Sequence, residues 1–71
     1  VARKESYEAF LSNFATNLKK IRKERGLTQE EMAPFNYRFY QRLESGKYSP
    51  SLKTVWRLAK LLKVDFNELF I

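Results

Sequence analysis

An all-α, single-domain fold is predicted by three features of this sequence. Apolar residues recur at helical spacing, capping signatures punctuate the chain at short intervals, and no alternating strand pattern occurs anywhere. At 71 residues the chain holds one domain, residues 1–71. A core this small stabilises by only a few kcal/mol unless helices pack efficiently or chains associate. Five helical segments around one core are expected.

The first segment runs from Tyr7 to Arg25. Its apolar residues, Tyr7, Phe10, Leu11, Phe14, Ala15, Leu18 and Ile21, follow the i, i+3, i+4, i+7 spacing of one helical face. Ser6 caps its start, and Glu8 sits near the positive end of the helix dipole. Lys19, Lys20, Arg22, Lys23 and Arg25 crowd the negative end, where Gly26 supplies a left-handed stop. Ser12-Asn13 leave open a break into a small helix and a main one. Thr28 with Glu31 forms a capping box, the hydroxyl taking the N3 amide while the carboxylate reaches back to the cap amide. The helix that starts there is short, because Pro34 has no amide to donate and disfavours helical geometry at Ala33. Asn36 caps the third segment, which runs to Ser45 and stops at Gly46. Ser49 or Ser51 caps a fourth, carrying Leu52, Val55, Leu58, Ala59 and Leu62. Asp65 with Glu68 opens a last short one whose Phe66, Leu69 and Phe70 fold back as apolar lids.

Composition narrows the functional classes. With no Cys and no His, a disulfide framework, a Cys/His metal site and catalysis by a nucleophile paired with histidine are all out of reach. No constellation of acid, base, nucleophile or metal ligand is visible, so neither enzyme activity nor a cofactor is expected. Fourteen Lys and Arg against eight Asp and Glu give a net charge of +6, which favours a polyanionic partner or an anionic membrane surface. No apolar run approaches the roughly 18 residues of a membrane span, and no signal-like segment opens the chain. A soluble, cytoplasmic protein associated with the nucleoid is the expectation.

The third segment carries the informative chemistry. With Tyr37 at zero and about 100° per residue, Gln41 lies near 40°, Ser45 near 80°, Arg38 near 100° and Arg42 near 140°. Phe39, Tyr40 and Leu43 fall on the opposite side, between about 200° and 300°. The outward arc holds guanidinium groups able to fork onto guanine O6 and N7, and an amide able to pair with adenine N6 and N7.

Taken with its flanks, the chain resembles the lambda-type repressor and Cro (Xre) family of helix-turn-helix regulators. The likeness runs from about Phe14 to Phe70. It rests on Leu18-Lys19-Lys20-Ile21-Arg22 through Gly26-Leu27-Thr28-Gln29, then Met32-Ala33, then Gln41 to Gly46, and finally Pro50-Ser51-Leu52 with Leu58-Ala59-Lys60-Leu61-Leu62. This resemblance implies a compact five-helix domain whose third helix, about 36–45, reads the major groove of double-stranded DNA. Residues 1–12 then extend the first helix beyond the family's usual start. Position by position, the resemblance places Tyr37, Arg38, Gln41 and Arg42 against bases, and Gln29, Asn36, Ser45, Lys47 and Tyr48 against the DNA backbone. It implies a structural ion pair between Arg22 and Glu44, and a homodimer on a near-palindromic operator. Trp56, Phe70 and Ile71 are the candidate dimer contacts. One departure stands out: only Pro34 and Phe35 separate Ala33 from the cap Asn36, where the family usually has about five residues. Phe35 is expected to plug this shortened turn against the core. The alternative function is an antitoxin-like or protein-interaction module built on the same fold.

Overall fold

The computed structural model describes residues 6–71; the part of the predicted N-terminal extension that falls on 1–5 lies outside the described residues. Helix α1 spans Tyr7–Glu24 without a break at Ser12-Asn13. The Ser6 hydroxyl accepts the Ala9 amide at 3.1 Å, and Leu11, Phe14, Ala15, Leu18 and Ile21 form its buried stripe. Gly26, at φ 71°, turns the chain off the helix and lets the Leu27 amide reach back to the Arg22 carbonyl at 3.2 Å.

The second segment, η1, is a single 3₁₀ turn over Gln29–Glu31. Its capping box forms as the residue pair predicts: the Thr28 hydroxyl accepts the Glu31 amide at 3.3 Å, and the Glu31 carboxylate accepts the Thr28 amide at 2.8 Å. Met32 follows fully buried. The corner Pro34-Phe35 then leads directly into helix α2, Tyr37–Glu44, with the Ala33–Pro34 peptide cis. Phe35 is partly buried against the core, as a plug of the turn requires. The Asn36 side-chain oxygen accepts both the Arg38 and the Phe39 amides, at 3.0 and 3.2 Å, satisfying two of the donors that open a helix.

Ser51, rather than Ser49, caps helix α3, Leu52–Leu62, by accepting the Thr54 amide at 3.1 Å. The last segment, η2, is a 3₁₀ turn over Phe66–Phe70 whose Asp65 amide donates to the Glu68 carboxylate. All five expected segments are present, three as α-helices and two as 3₁₀ turns. One core holds Phe14, Leu18 and Ile21 of α1, Met32 at the end of η1, Tyr40 and Leu43 of α2, Val55, Leu58, Ala59 and Leu62 of α3, and Leu69 of η2. Four residues of the expected apolar faces stay exposed. Tyr7 and Phe10 in the first turn of α1 are 54% and 39% exposed, and Leu52, in the first turn of α3, is 73% exposed on the rim of the groove it lines with them. Phe66 remains 43% exposed, so Leu69 and the half-buried Phe70 alone act as the lid.

Candidate nucleic-acid interface

Helix α2 separates into two faces as its periodicity predicts. Tyr40 and Leu43 are buried and Phe39 half-buried, whereas Tyr37, Arg38, Gln41, Arg42 and Ser45 are exposed. Arg38, Gln41, Arg42 and Ser45 line one shallow surface depression. The Gln41 amide donates to the Tyr37 hydroxyl at 3.0 Å, one turn back. The Arg42 guanidinium lies 5.1 Å from the centre of the Tyr48 ring, a cation–π distance. Ser45 closes the helix end: its hydroxyl donates to the Arg42 carbonyl and accepts the Lys47 amide. The exposed Lys47 side chain therefore leaves from a loop whose backbone is anchored to α2.

Beneath this face runs an aromatic strip that sequence periodicity alone did not reveal. Tyr48 meets the Phe39 ring edge-on at 5.5 Å, and Phe39 stacks with Phe35 at 6.2 Å. At its far end the Arg57 guanidinium of α3 sits 5.1 Å over Phe35. A guanidinium thus covers each end of the strip, and the shortened turn is packed rather than loose. The i, i+4 pairing of Phe35 with Phe39 was the only trace of it in the sequence.

Arg22 and Glu44 pair as expected, with side chains only 7% and 3% exposed. Arg22 forks onto the carboxylate, Nε to Oε2 at 2.6 Å and Nη2 to Oε1 at 3.2 Å, while its Nη1 donates to the Leu27 carbonyl at 2.6 Å. Two further donors converge on Glu44: the Tyr40 hydroxyl at 2.5 Å and the Gln29 amide at 3.0 Å. Burial by itself pushes the Glu44 carboxyl up, but hydrogen bonds from Arg22, Tyr40 and Gln29, with the charge of Arg22, hold it below its ordinary value. The same bond to Glu44 raises Arg22. Burial, then the neighbouring carboxylate, raises Tyr40, which stays a neutral donor. Gln29 is therefore tied to α2 through its side chain. Beside it, Lys19, Lys23, Thr28 and Tyr37 line an open hollow of mixed polarity. Those lysines were read from sequence only as partners of the α1 dipole.

The residues expected at a dimer contact differ in exposure. Trp56 is 53% exposed, with the Lys60 ammonium 5.3 Å over its ring. Phe70 instead stacks between Phe10 and Phe14, at 5.4 Å from each. The Ile71 side chain is exposed, while its carbonyl accepts the Asn13 and Asn17 amides at 3.1 and 3.0 Å. Next to Phe70 lies a largely apolar groove of about 450 Å³ lined by Tyr7, Phe10, Leu52, Phe66 and their neighbours. Among the described residues no group of three or more His, Cys, Asp or Glu side chains could hold a metal ion, and no helix is long and apolar enough to cross a membrane.

A family model described as helix-turn-helix matches residues 37–69, from the first residue of α2 to the buried Leu69. An uncharacterised HTH-type transcriptional regulator of Sinorhizobium fredii is 39% identical over 61 residues, covering 82% of this chain and 74% of that protein. The chain belongs to the helix-turn-helix family of lambda-repressor (Xre) type. An uncharacterised HTH-type regulator of the archaeon Archaeoglobus fulgidus is 34% identical over 59 residues, 79% of this chain and 84% of its own. The ImmF control region 10 kDa protein of Bacillus phage phi105 is 40% identical over 55 residues, 73% of this chain and 61% of its own. No solved structure matches the chain significantly. The family-model match begins only after the corner at Pro34-Phe35, so the segment in which this helix-turn-helix chain departs from the usual spacing lies outside it.

Proposed function

We propose that the chain is a transcriptional regulator that binds double-stranded DNA and recognises its sequence by laying α2 in the major groove. The observation that carries this reading is the outward face of α2, where Arg38, Gln41 and Arg42 stand exposed on a helix whose other face is locked into the core. Two guanidiniums and one amide on one short helix supply the donors and acceptors that distinguish base pairs in the major groove. Tyr37 completes the base-facing set, and Gln29, Asn36, Ser45, Lys47 and Tyr48 contact the flanking backbone. The net charge of +6 adds a sequence-independent attraction to phosphates. The helix-turn-helix relatives named as transcriptional regulators support the same reading.

The chain acts as a homodimer on a near-palindromic operator, with half-sites separated by about one helical turn, roughly 34–36 Å. The apolar groove and exposed Trp56 and Ile71 are where a second copy docks. Among the described residues, six of the seven exposed large hydrophobic residues, all but Tyr37, lie on α1, α3 or at the η2 end rather than on α2. Four of them, Tyr7, Phe10, Leu52 and Phe66, line the apolar groove together, and clustered exposed apolar residues mark interaction surfaces. The same groove favours a second reading, a module whose role is to bind a different protein.

Titration of duplexes from a random pool by fluorescence anisotropy at several salt concentrations separates the two. A DNA reader enriches a two-fold site, and its log affinity falls with log salt at about 0.9 per neutralised phosphate. No salt-sensitive binding to any duplex would leave only the protein-interaction module.

A further inference from the structure

Tyr40 occupies a position where helix periodicity calls only for an apolar filler. It is fully buried, and its hydroxyl donates to Glu44 Oε2 at 2.5 Å. A buried hydroxyl is costly unless it is hydrogen-bonded, and a phenylalanine would fill the same space without that demand. What the hydroxyl adds is a second donor on an oxygen already held by Arg22 Nε at 2.6 Å. With two donors on Oε2, the carboxylate cannot swing about its terminal torsion without breaking both. Its other oxygen, Oε1, which Arg22 Nη2 holds only at a longer 3.2 Å, is steadied with it, and Oε1 is the atom that accepts the Gln29 amide at 3.0 Å. An ionised carboxylate only accepts, so it draws the nitrogen rather than the oxygen of the Gln29 amide toward itself. One amide N–H goes to Glu44, and the second stays available to an outside acceptor. A phosphate oxygen also only accepts, so the flipped amide would set oxygen against oxygen.

We infer that Tyr40 is a positioning residue for DNA-backbone binding, acting through Glu44 to hold the Gln29 amide with an N–H presented to phosphate. This inference rests on the proposed DNA-binding function, and deepens it by tying the buried face of the reading helix to a contact made by a different segment, η1. The depressed Glu44 carboxyl is consistent with the tie, since it keeps the acceptor ionised across the neutral range.

Two measurements test it. The first is a double-mutant cycle on a duplex selected by the wild-type chain, using Tyr40→Phe, Gln29→Ala and the pair. Tyr40→Phe should weaken binding about 3- to 10-fold with Gln29 present, and by less than about 2-fold in the Gln29→Ala background. Equal losses in both backgrounds would make Tyr40 merely structural and overturn the inference. The second is ¹⁵N relaxation of the Gln29 side-chain amide in the free protein. That amide should be as restricted as the backbone in wild type and mobile in Tyr40→Phe. A freely mobile Gln29 amide in wild type overturns the inference without any variant. Failure of the wild-type chain to bind any duplex would instead remove the DNA-binding function itself, with the relaxation measurement still deciding whether Tyr40 sets Gln29.

Discussion

Replacing Arg22 by methionine removes three hydrogen bonds from the inside of the molecule while keeping most of the apolar stem. Glu44 loses the Nε and Nη2 donors, and the Leu27 carbonyl loses Nη1. The remaining carboxylate is 3% exposed and keeps only Tyr40 and Gln29 as donors. Breaking a buried pair from one side costs about 3–5 kcal/mol. Domains of this size have about 4–11 kcal/mol in total. Arg22→Met should therefore stand at the edge of unfolding in urea titrations followed by circular dichroism. Removing the whole polar cluster, as Arg22→Met with Tyr40→Phe and Glu44→Leu, should return to within about 1 kcal/mol of wild type, because packed apolar residues often match a buried ion pair.

The pH dependence carries a sign that discriminates further. In wild type the Glu44 carboxyl lies below its ordinary value of 4.5 in the folded state. Its contribution is complete above pH 4.5 and lost as pH falls through the folded value. In Arg22→Met burial is opposed by fewer donors, so the folded value moves upward and protonation relieves the strain. The variant's deficit should shrink between pH 7 and about pH 4. A cost under about 1 kcal/mol at neutral pH, or a deficit that grows on acidification, would refute this account of the pair.

Three other outcomes are expected. Arg42→Ala or Arg38→Ala should cost about 1–3 kcal/mol of DNA binding and relax preference at one base pair, whereas Lys47→Ala should weaken all duplexes alike and flatten the salt slope by about one; selection from random duplexes with each variant checks both. Asn36→Ala removes the acceptor of two amides and should lower thermal stability by about 0.5–2 kcal/mol in scanning calorimetry. Gly26 and Gly46 both sit at positive φ, but a Cβ meets nothing within 4 Å at Gly26 and lies 3.4 Å from the Ser12 backbone at Gly46. Gly26→Gln should cost about 1–2 kcal/mol of left-handed strain, and Gly46→Gln at least as much by the same denaturation assay, since its side chain must also find room beside α1.

Features encoded within one or two helical turns were legible in the sequence. Ser6, Thr28 with Glu31, Asn36 and Ser51 each cap a helix start, because capping joins a side chain to an amide two or three residues away. The α2 faces were legible for the same reason, period being a local property. Tertiary chemistry was much less so. The Arg22–Glu44 pair came from family resemblance, since nothing within either segment requires it. Tyr40 read simply as apolar, because a two-letter pattern of apolar and polar residues has no place for a buried hydroxyl. Its bond to Glu44 also decides where Gln29 points, and that lies beyond any single-segment reading. The end positions Leu52 and Phe66 carried the right period yet stay exposed on the rim of the apolar groove, and only assembly of the elements shows that.

The two asparagines of α1 have a consequence for how the chain is made. Asn17 donates to the Leu69 and Ile71 carbonyls, and Asn13 to Ile71, joining positions more than 50 residues apart. Between them Leu69 enters the core fully buried and Phe70 stacks on α1. During synthesis α1 emerges early, yet part of its apolar stripe has no lid until η2 follows. Local helix formation can precede that step, but closing so long a loop has to be part of the cooperative transition. A growing chain halted before Leu69 would therefore display the Phe10–Phe14 surface to whatever is near, making the η2 segment the one on which solubility of the nascent helical domain depends.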